Sequence, residues 1–211
     1  MSPLPAQFTD RWGDRAARPS YQDAVCWHLL LGDKDAVRAA VAAAQRRLAR
    51  FGGMHMTPVR WLHVTVLLAG SAAAIGEGDR NRMLARARVA LGGVAPVTVR
   101  LGRVLYHPEG IALGVSSADA LRPVLDAART ATRDVTGADG SAEDSAGWLP
   151  HMTIAYSTGE QPAAPVIAEL GRTLPGCEVT IDQLSLVVQN GPEWLWDWRI
   201  AGTARMLGAL R

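Results

Sequence analysis

Two segments of the chain carry one pattern: Trp61-Leu62-His63-Val64-Thr65-Val66 and Leu149-Pro150-His151-Met152-Thr153-Ile154. Each sets a His-x-Thr in an apolar run. Alternate side chains of a β-strand share a face, so His63 and Thr65 point one way while Leu62, Val64 and Val66 point the other. His151 and Thr153 are paired in the same manner. A polar pair on one face of an apolar strand, repeated in a chain with only five histidines, predicts one composite site built from two strands.

The flanking sequence supplies the elements around these strands. Val25 to Leu31 reads as a first strand. Asp33 is placed to cap a helix over 34–50, with Val37, Val41, Ala44, Leu48 and Phe51 on its apolar face and Gly52-Gly53 ending it. The first His-x-Thr strand follows at 61–68, then a helix over 78–91 and a strand over 97–106. Pro108-Glu109-Gly110 turns the chain into a hairpin partner at 111–115. A third helix is expected over 118–136, the second His-x-Thr strand over 151–157, and a fourth helix over 165–173. Two long strands, 178–189 and 194–205, follow around Asn190-Gly191-Pro192. Residues 1–22, polar and rich in proline, read as a flexible lead-in.

From His63 to His151 is 88 positions, and the same shift brings the strand at 25–31 onto Leu113 and its neighbours. Each half reads strand, helix, His-x-Thr strand, helix, strand, the signature of a duplicated α+β unit. A pseudo-two-fold arrangement would set the motif strands face to face across a cleft, with helices on the outer faces.

Composition narrows the function classes. The chain has 211 residues, 48% hydrophobic and 20% charged, with a net charge of +2. That is ample for a buried core and too nearly neutral for non-specific nucleic-acid binding by charge alone. Cys26 and Cys177 fit no metal-binding spacing, no apolar run reaches membrane-spanning length, and Met1 to Gln22 lacks the apolar core of a signal peptide. A cytoplasmic protein without membrane association is expected.

Two imidazoles suit a reaction that needs a proton taken and a proton given near neutral pH. In phosphodiester hydrolysis one accepts a proton from the attacking water while the other donates to the departing alkoxide. The threonine hydroxyls are suited to the non-bridging oxygens, where charge accumulates. On the first strand, either Trp27 or His28 faces the cleft by alternation, Trp27 to stack on substrate or His28 to make a polar contact.

At this point the sequence resembles the two-histidine (2H) phosphoesterase superfamily, marked by paired His-x-Thr or His-x-Ser motifs flanked by apolar residues. The match covers roughly 22–205 and is closest to the bacterial 2′-5′ RNA ligase-like and RNA 2′,3′-cyclic phosphodiesterase branch. The resemblance implies an α+β fold, bilobal, with two mainly antiparallel sheets flanking a central cleft, and a single domain over 23–211 whose lobes are intertwined. It implies catalysis without metal or cofactor on RNA or a nucleotide carrying a cyclic phosphate, with no obligatory protein partner. Reversible 2′-5′ ligation is implied as well. His63 and His151 would be the acid/base pair, and Thr65 and Thr153 the phosphate ligands. Many relatives have a basic residue soon after the second motif, where this chain has Ala155-Tyr156-Ser157, with Tyr156 expected beneath a helix.

Three other readings compete. The histidines are core residues bonded to their own threonines; they bind zinc, although His28, His55 and His107 offer a third ligand at no motif spacing; or the fold is a non-catalytic nucleotide- or RNA-binding module. The last draws on Trp194, Trp196 and Trp198, which alternate on the expected final strand and would form a ladder for stacked bases.

Overall fold

The computed structural model describes residues 4–13, 23–141 and 147–208. In chain order the elements are β1 Gln7–Phe8, β2 Ala24–Leu30, α1 Asp35–Leu48, β3 Met54–Met56, β4 His63–Ser71, α2 Glu77–Gly92, β5 Val97–His107 and β6 Gly110–Val115. They continue with α3 Arg122–Thr136, β7 His151–Ser157, β8 Gln161–Pro162, α4 Ala164–Leu170, β9 Thr173–Ile181, β10 Gln183–Gln189 and β11 Trp198–Arg205. The fold is α+β, and its strand pairs are antiparallel.

The strands run in the order β11-β10-β2-β4-β7-β6-β5-β9, with β3 paired to β7. The path divides into two half-sheets of four strands, β11-β10-β2-β4 and β7-β6-β5-β9, which meet in one register pair, Val64 opposite Met152. The motif strands therefore lie side by side at the centre of the molecule rather than facing one another. Edge pairing satisfies backbone groups that a cleft between two open edges would leave exposed. Counting one residue outward from Val64 and Met152 on an antiparallel pair sets His63 across from Thr153, and Thr65 across from His151. Val64 and Met152 themselves turn to the other face, where they are buried.

Helices cover that other face. α2 and α3 pack together over the half-sheet containing β4 and β11, while α1 and α4 cover the half containing β7 and β9. α1 buries Val37, Val41, Ala44 and Leu48 as its periodicity predicts. Its N-cap is Lys34 with no side-chain capping bond, so Asp33 does not cap it. α3 begins at Arg122, leaving Pro123 in the first turn where its missing N–H costs nothing.

The halves exchange strands. β5, from the first half of the sequence, pairs with β6, whereas β10 returns from the C-terminal part to pair with β2. Asp182 divides what reads in sequence as one strand over 178–189: β9 closes one half-sheet and β10 opens the other.

The internal duplication extends to an irregularity. Trp27 lies opposite Leu67 and His28 opposite Thr65, so Val66 is an extra residue on β4; Ile111 lies opposite Ala155 and Ala112 opposite Thr153, so Ile154 is the extra residue on β7. Both bulges fall directly after the threonine of the motif. The register makes His28 the counterpart of Ala112, 84 positions on rather than the 88 that separate the motifs; the intervening connections differ in length between the halves.

Residues 4–13, expected as part of a loose lead-in, are instead built into the fold, while 1–3 and 14–22 lie outside the described residues. β1 pairs with β8, Phe8 is fully buried, and the Thr9 and Arg11 amides donate to the Pro108 and Ser157 carbonyls. Removing a fully buried phenyl ring costs about 3 to 5 kcal/mol. Phe8→Ala should therefore lower the unfolding free energy by that amount, read as a lower urea midpoint at unchanged slope; a loss under about 0.5 kcal/mol would show that this segment is not docked.

Candidate active site

A cleft of about 730 Å³ opens on the side of the sheet away from the helices, and His63, Thr65, His151 and Thr153 all line it. Their arrangement follows from the central register. Each histidine is anchored in the same way: His63 Nδ1 lies 2.7 Å from the Trp61 carbonyl oxygen and His151 Nδ1 lies 2.8 Å from that of Leu149. A carbonyl only accepts, so both Nδ1 atoms carry the proton. Each neutral ring is thereby left with a basic Nε2. The two carbonyls belong to residues two before each histidine, so the motif context itself sets the tautomer twice.

The bulges decide what else faces the cleft. By strict alternation Tyr156 would lie beneath a helix, yet the extra residue Ile154 reverses the parity of β7, and Tyr156 lines the cleft. Its counterpart Leu68, beyond the bulge on β4, lines it as well. A bulge is not readable from hydrophobic alternation, because an extra apolar residue inside an apolar run leaves the pattern looking continuous.

On β2 the alternation resolves in favour of His28. Trp27 turns to the helix face, is fully buried, and donates from Nε1 to Thr132 Oγ1 at 3.0 Å, so it makes no contact with the cleft and is not a substrate-binding residue. His28 lines the cleft and stacks on His63, ring centroids 4.2 Å apart and 22° from parallel. Burial, and secondarily the neighbouring His63, hold the His28 pKa well below its ordinary value. Trp198 sets its ring edge-to-face against both histidines, at 4.7 Å from His63 and 5.0 Å from His28.

The expected tryptophan ladder does not form. Glu193–Leu195 is a 3-10 turn, Trp196 has φ +53°, and the last strand begins only at Trp198. Trp196 and Trp198 line the cleft, while Trp194 packs edge-on against Trp12. Trp196 Nε1 donates to His55 Nε2 at 3.1 Å, which fixes His55 with its proton on Nδ1; burial lowers its pKa too.

Further polar groups reach the cleft from segments remote from either motif. Arg103 on β5, Arg172 before β9, and His107 line one wall. Arg11 enters from the N-terminal segment, donates to Glu109 and Glu193 at 3.0 Å, and lies 4.4 Å over the Tyr156 ring. Tyr106, also in the wall, donates to the Gly171 carbonyl at 2.6 Å; burial, opposed by Arg47 and Arg172, pushes its pKa up to about 12, so it remains a protonated donor. None of these residues lies in a motif, and no sequence signal short of the fold connects them to it.

Among the described residues no three His, Cys, Asp or Glu side chains are grouped to hold a metal ion, so the zinc reading has no ligand set there. No described helix is long and apolar enough to cross a membrane.

Residues 33–193 match the family model described as the 2′-5′ RNA ligase superfamily. The chain belongs to this superfamily. Its phosphoesterase fold is shared with several solved structures. TT0787 of Thermus thermophilus superimposes with a TM-score of 0.71 at 21% identity, covering 88% of this chain and 98% of that one. E. coli LigT complexed with 3′-AMP gives 0.61 at 11% identity, covering 89% and 99%. The MHV ns2 PDE domain gives 0.50 at 13%, covering 79% and 99%. No curated protein matches the sequence.

For this member of the 2′-5′ RNA ligase superfamily the buried His28 has a consequence for stability. The unfolded chain binds a proton at His28 near pH 6.5, whereas the folded one binds it only at lower pH. Stability from this group is thus complete above about 6.5 and lost as pH falls towards the folded value. The slope reaches at most about 1.4 kcal/mol per pH unit for one proton. His28→Phe should flatten the decline in unfolding free energy measured between pH 7 and 5. An unchanged slope would mean that His28 titrates normally.

Proposed function

We propose that the protein is a phosphodiesterase that hydrolyses a 2′,3′-cyclic phosphate on an RNA end or nucleotide, and that the same site runs 2′-5′ ligation in reverse. The observation that supports this most directly is the twofold Nδ1 anchoring of His63 and His151, which leaves two equivalent Nε2 atoms on one cleft beside two threonine hydroxyls.

One neutral histidine takes a proton from water as its oxygen attacks phosphorus. The second, protonated at Nε2, donates that proton to the ribose oxygen as the phosphorus–oxygen bond of the cyclic ester breaks. The backbone carbonyl on each Nδ1–H stabilises the imidazolium that forms and fixes where Nδ1 points. Thr65 and Thr153 donate to the non-bridging oxygens, with Arg103 and Arg172 supplying the nearby positive field. In ligation a ribose hydroxyl takes the place of water as nucleophile, and in its reversal the same oxygen departs while the histidines exchange roles.

The aromatic side chains Tyr156, Trp196 and Trp198 suit a nucleobase. The bound 3′-AMP, ATP and NADP+ in the E. coli LigT structures are consistent with a nucleotide in such a cleft.

The test is hydrolysis of 2′,3′-cyclic nucleotides and of RNA ending in that group, with EDTA present. Turnover should persist in EDTA with a bell-shaped pH profile, and His63→Ala and His151→Ala should each lower it by about 100- to 10,000-fold with the fold retained. Activity abolished by EDTA and restored by zinc would overturn the mechanism. Nucleotide binding without turnover would identify a binding module instead.

A further inference from the structure

The duplicated scaffold carries unlike rows behind its two motifs. In one half-sheet Ser185, His28 and Thr65 are cross-strand partners on β10, β2 and β4; in the other, Leu105, Ala112 and Thr153 occupy the corresponding places on β5, β6 and β7. The threonines are shared. The polar pair Ser185 and His28 exists behind His63 alone, replaced by leucine and alanine behind His151.

This pair is buried, with Ser185 and His28 only 1% and 4% exposed. His28 Nδ1 and Ser185 Oγ have no hydrogen-bond partner among the described residues. Burying a polar atom without a partner is unfavourable, and here two of them sit on directly opposed residues of neighbouring strands. Opposed Cβ atoms in an antiparallel pair are about 4.5 to 5.5 Å apart, which a rotation of the serine hydroxyl, or one bridging water, spans. In such a bond the hydroxyl would donate to Nδ1, which would leave the His28 proton on Nε2.

We propose that His28 is a positioning residue for His63: held by Ser185 in one neutral tautomer, it forms a fixed platform whose face sets the plane of the His63 imidazole. The 4.2 Å stack is the contact that does this, with Trp198 closing against both rings. The carbonyl of Trp61 fixes where His63 Nδ1 points, but one hydrogen bond leaves the ring free to tilt about that axis. The stack removes the tilt. Low basicity suits the platform, since a charged His28 would repel the imidazolium formed on His63 during proton transfer. In the second half-sheet the place of His28, across from Thr153, is taken by Ala112.

The inference rests on the proposed reaction for its kinetic arm only. His28→Ala should lower kcat for cyclic-phosphate hydrolysis by about 10- to 100-fold with KM within about twofold, as expected when a reacting group is misplaced but substrate binding is kept. His28→Phe, which restores a flat face without nitrogen, should recover turnover to within about fivefold of wild type. Equal impairment in His28→Phe and His28→Ala would overturn the proposal, showing that a ring nitrogen and not the ring face matters. Full activity in a folded His28→Ala would overturn it equally.

Nitrogen-15 spectra of the imidazoles give an arm independent of turnover. At pH 7 His28 should be neutral with its proton on Nε2, this preference should be lost in Ser185→Ala, and the His63 resonances should lose their ring-current shift in His28→Ala. His28 protonated on Nδ1, or His63 resonances unmoved by His28→Ala, would refute it. Absence of any wild-type turnover would sink the hydrolase reading while leaving the spectra to decide this one.

Discussion

The layout of the cleft depends on one antiparallel contact, Val64 against Met152. Two four-stranded sheets meet there edge to edge, and the pairing fixes a one-residue relationship between two histidines and two threonines. Because side chains alternate, the apolar members of the pair enter the core while their neighbours reach the cleft. A slip of one residue at this seam would bury the imidazoles and expose Val64 and Met152. The helix layer beneath, with Val37, Leu91, Val124 and Leu125 fully buried, holds the register because only one face of each motif strand is apolar enough to be covered.

The seam joins halves that are alike in backbone and unlike in chemistry. Both repeat the strand pairing, the bulge after threonine and the carbonyl on Nδ1. The side chains then diverge: His28 and Trp198 pack against His63, with Ser185 across from His28, whereas Ala112 and Leu105 take the places of His28 and Ser185 beside the second motif. Arg103 and Arg172 bring positive charge to the wall formed by β5 and β9, and the N-terminal segment contributes Arg11, whose charge is taken up by Glu109 and Glu193. A symmetric frame thus carries an asymmetric cleft.

Some of this was readable before the fold was known. The His-x-Thr pair stood out because polar residues at period two in apolar runs contradict simple core patterning, and the helix faces followed from 3.6-residue periodicity. Readings that relied on unbroken alternation failed where the backbone departs from it. Alternation alone puts Tyr156 under a helix, because the Ile154 bulge is silent in sequence, and puts the three tryptophans on one strand, because the left-handed conformation of Trp196 is one that no local residue preference demands. The choice between Trp27 and His28 could not be made from β2 alone, since both are aromatic neighbours in a strand buried on both faces.

What the sequence by itself determined is local and periodic: which residues form strands and helices, that two matched polar pairs exist, and that the chain repeats an α+β unit. Those properties depend on neighbours within a few residues, where side-chain period and backbone preference act. The tertiary structure alone decided that the motif strands adjoin rather than face, that β9 and β10 part company at Asp182, and that Arg11, Arg103, Arg172 and Trp198 reach the same cleft. These outcomes arise from strand pairing and bulges between segments far apart in the chain, and such contacts leave no periodic trace in the residues that make them.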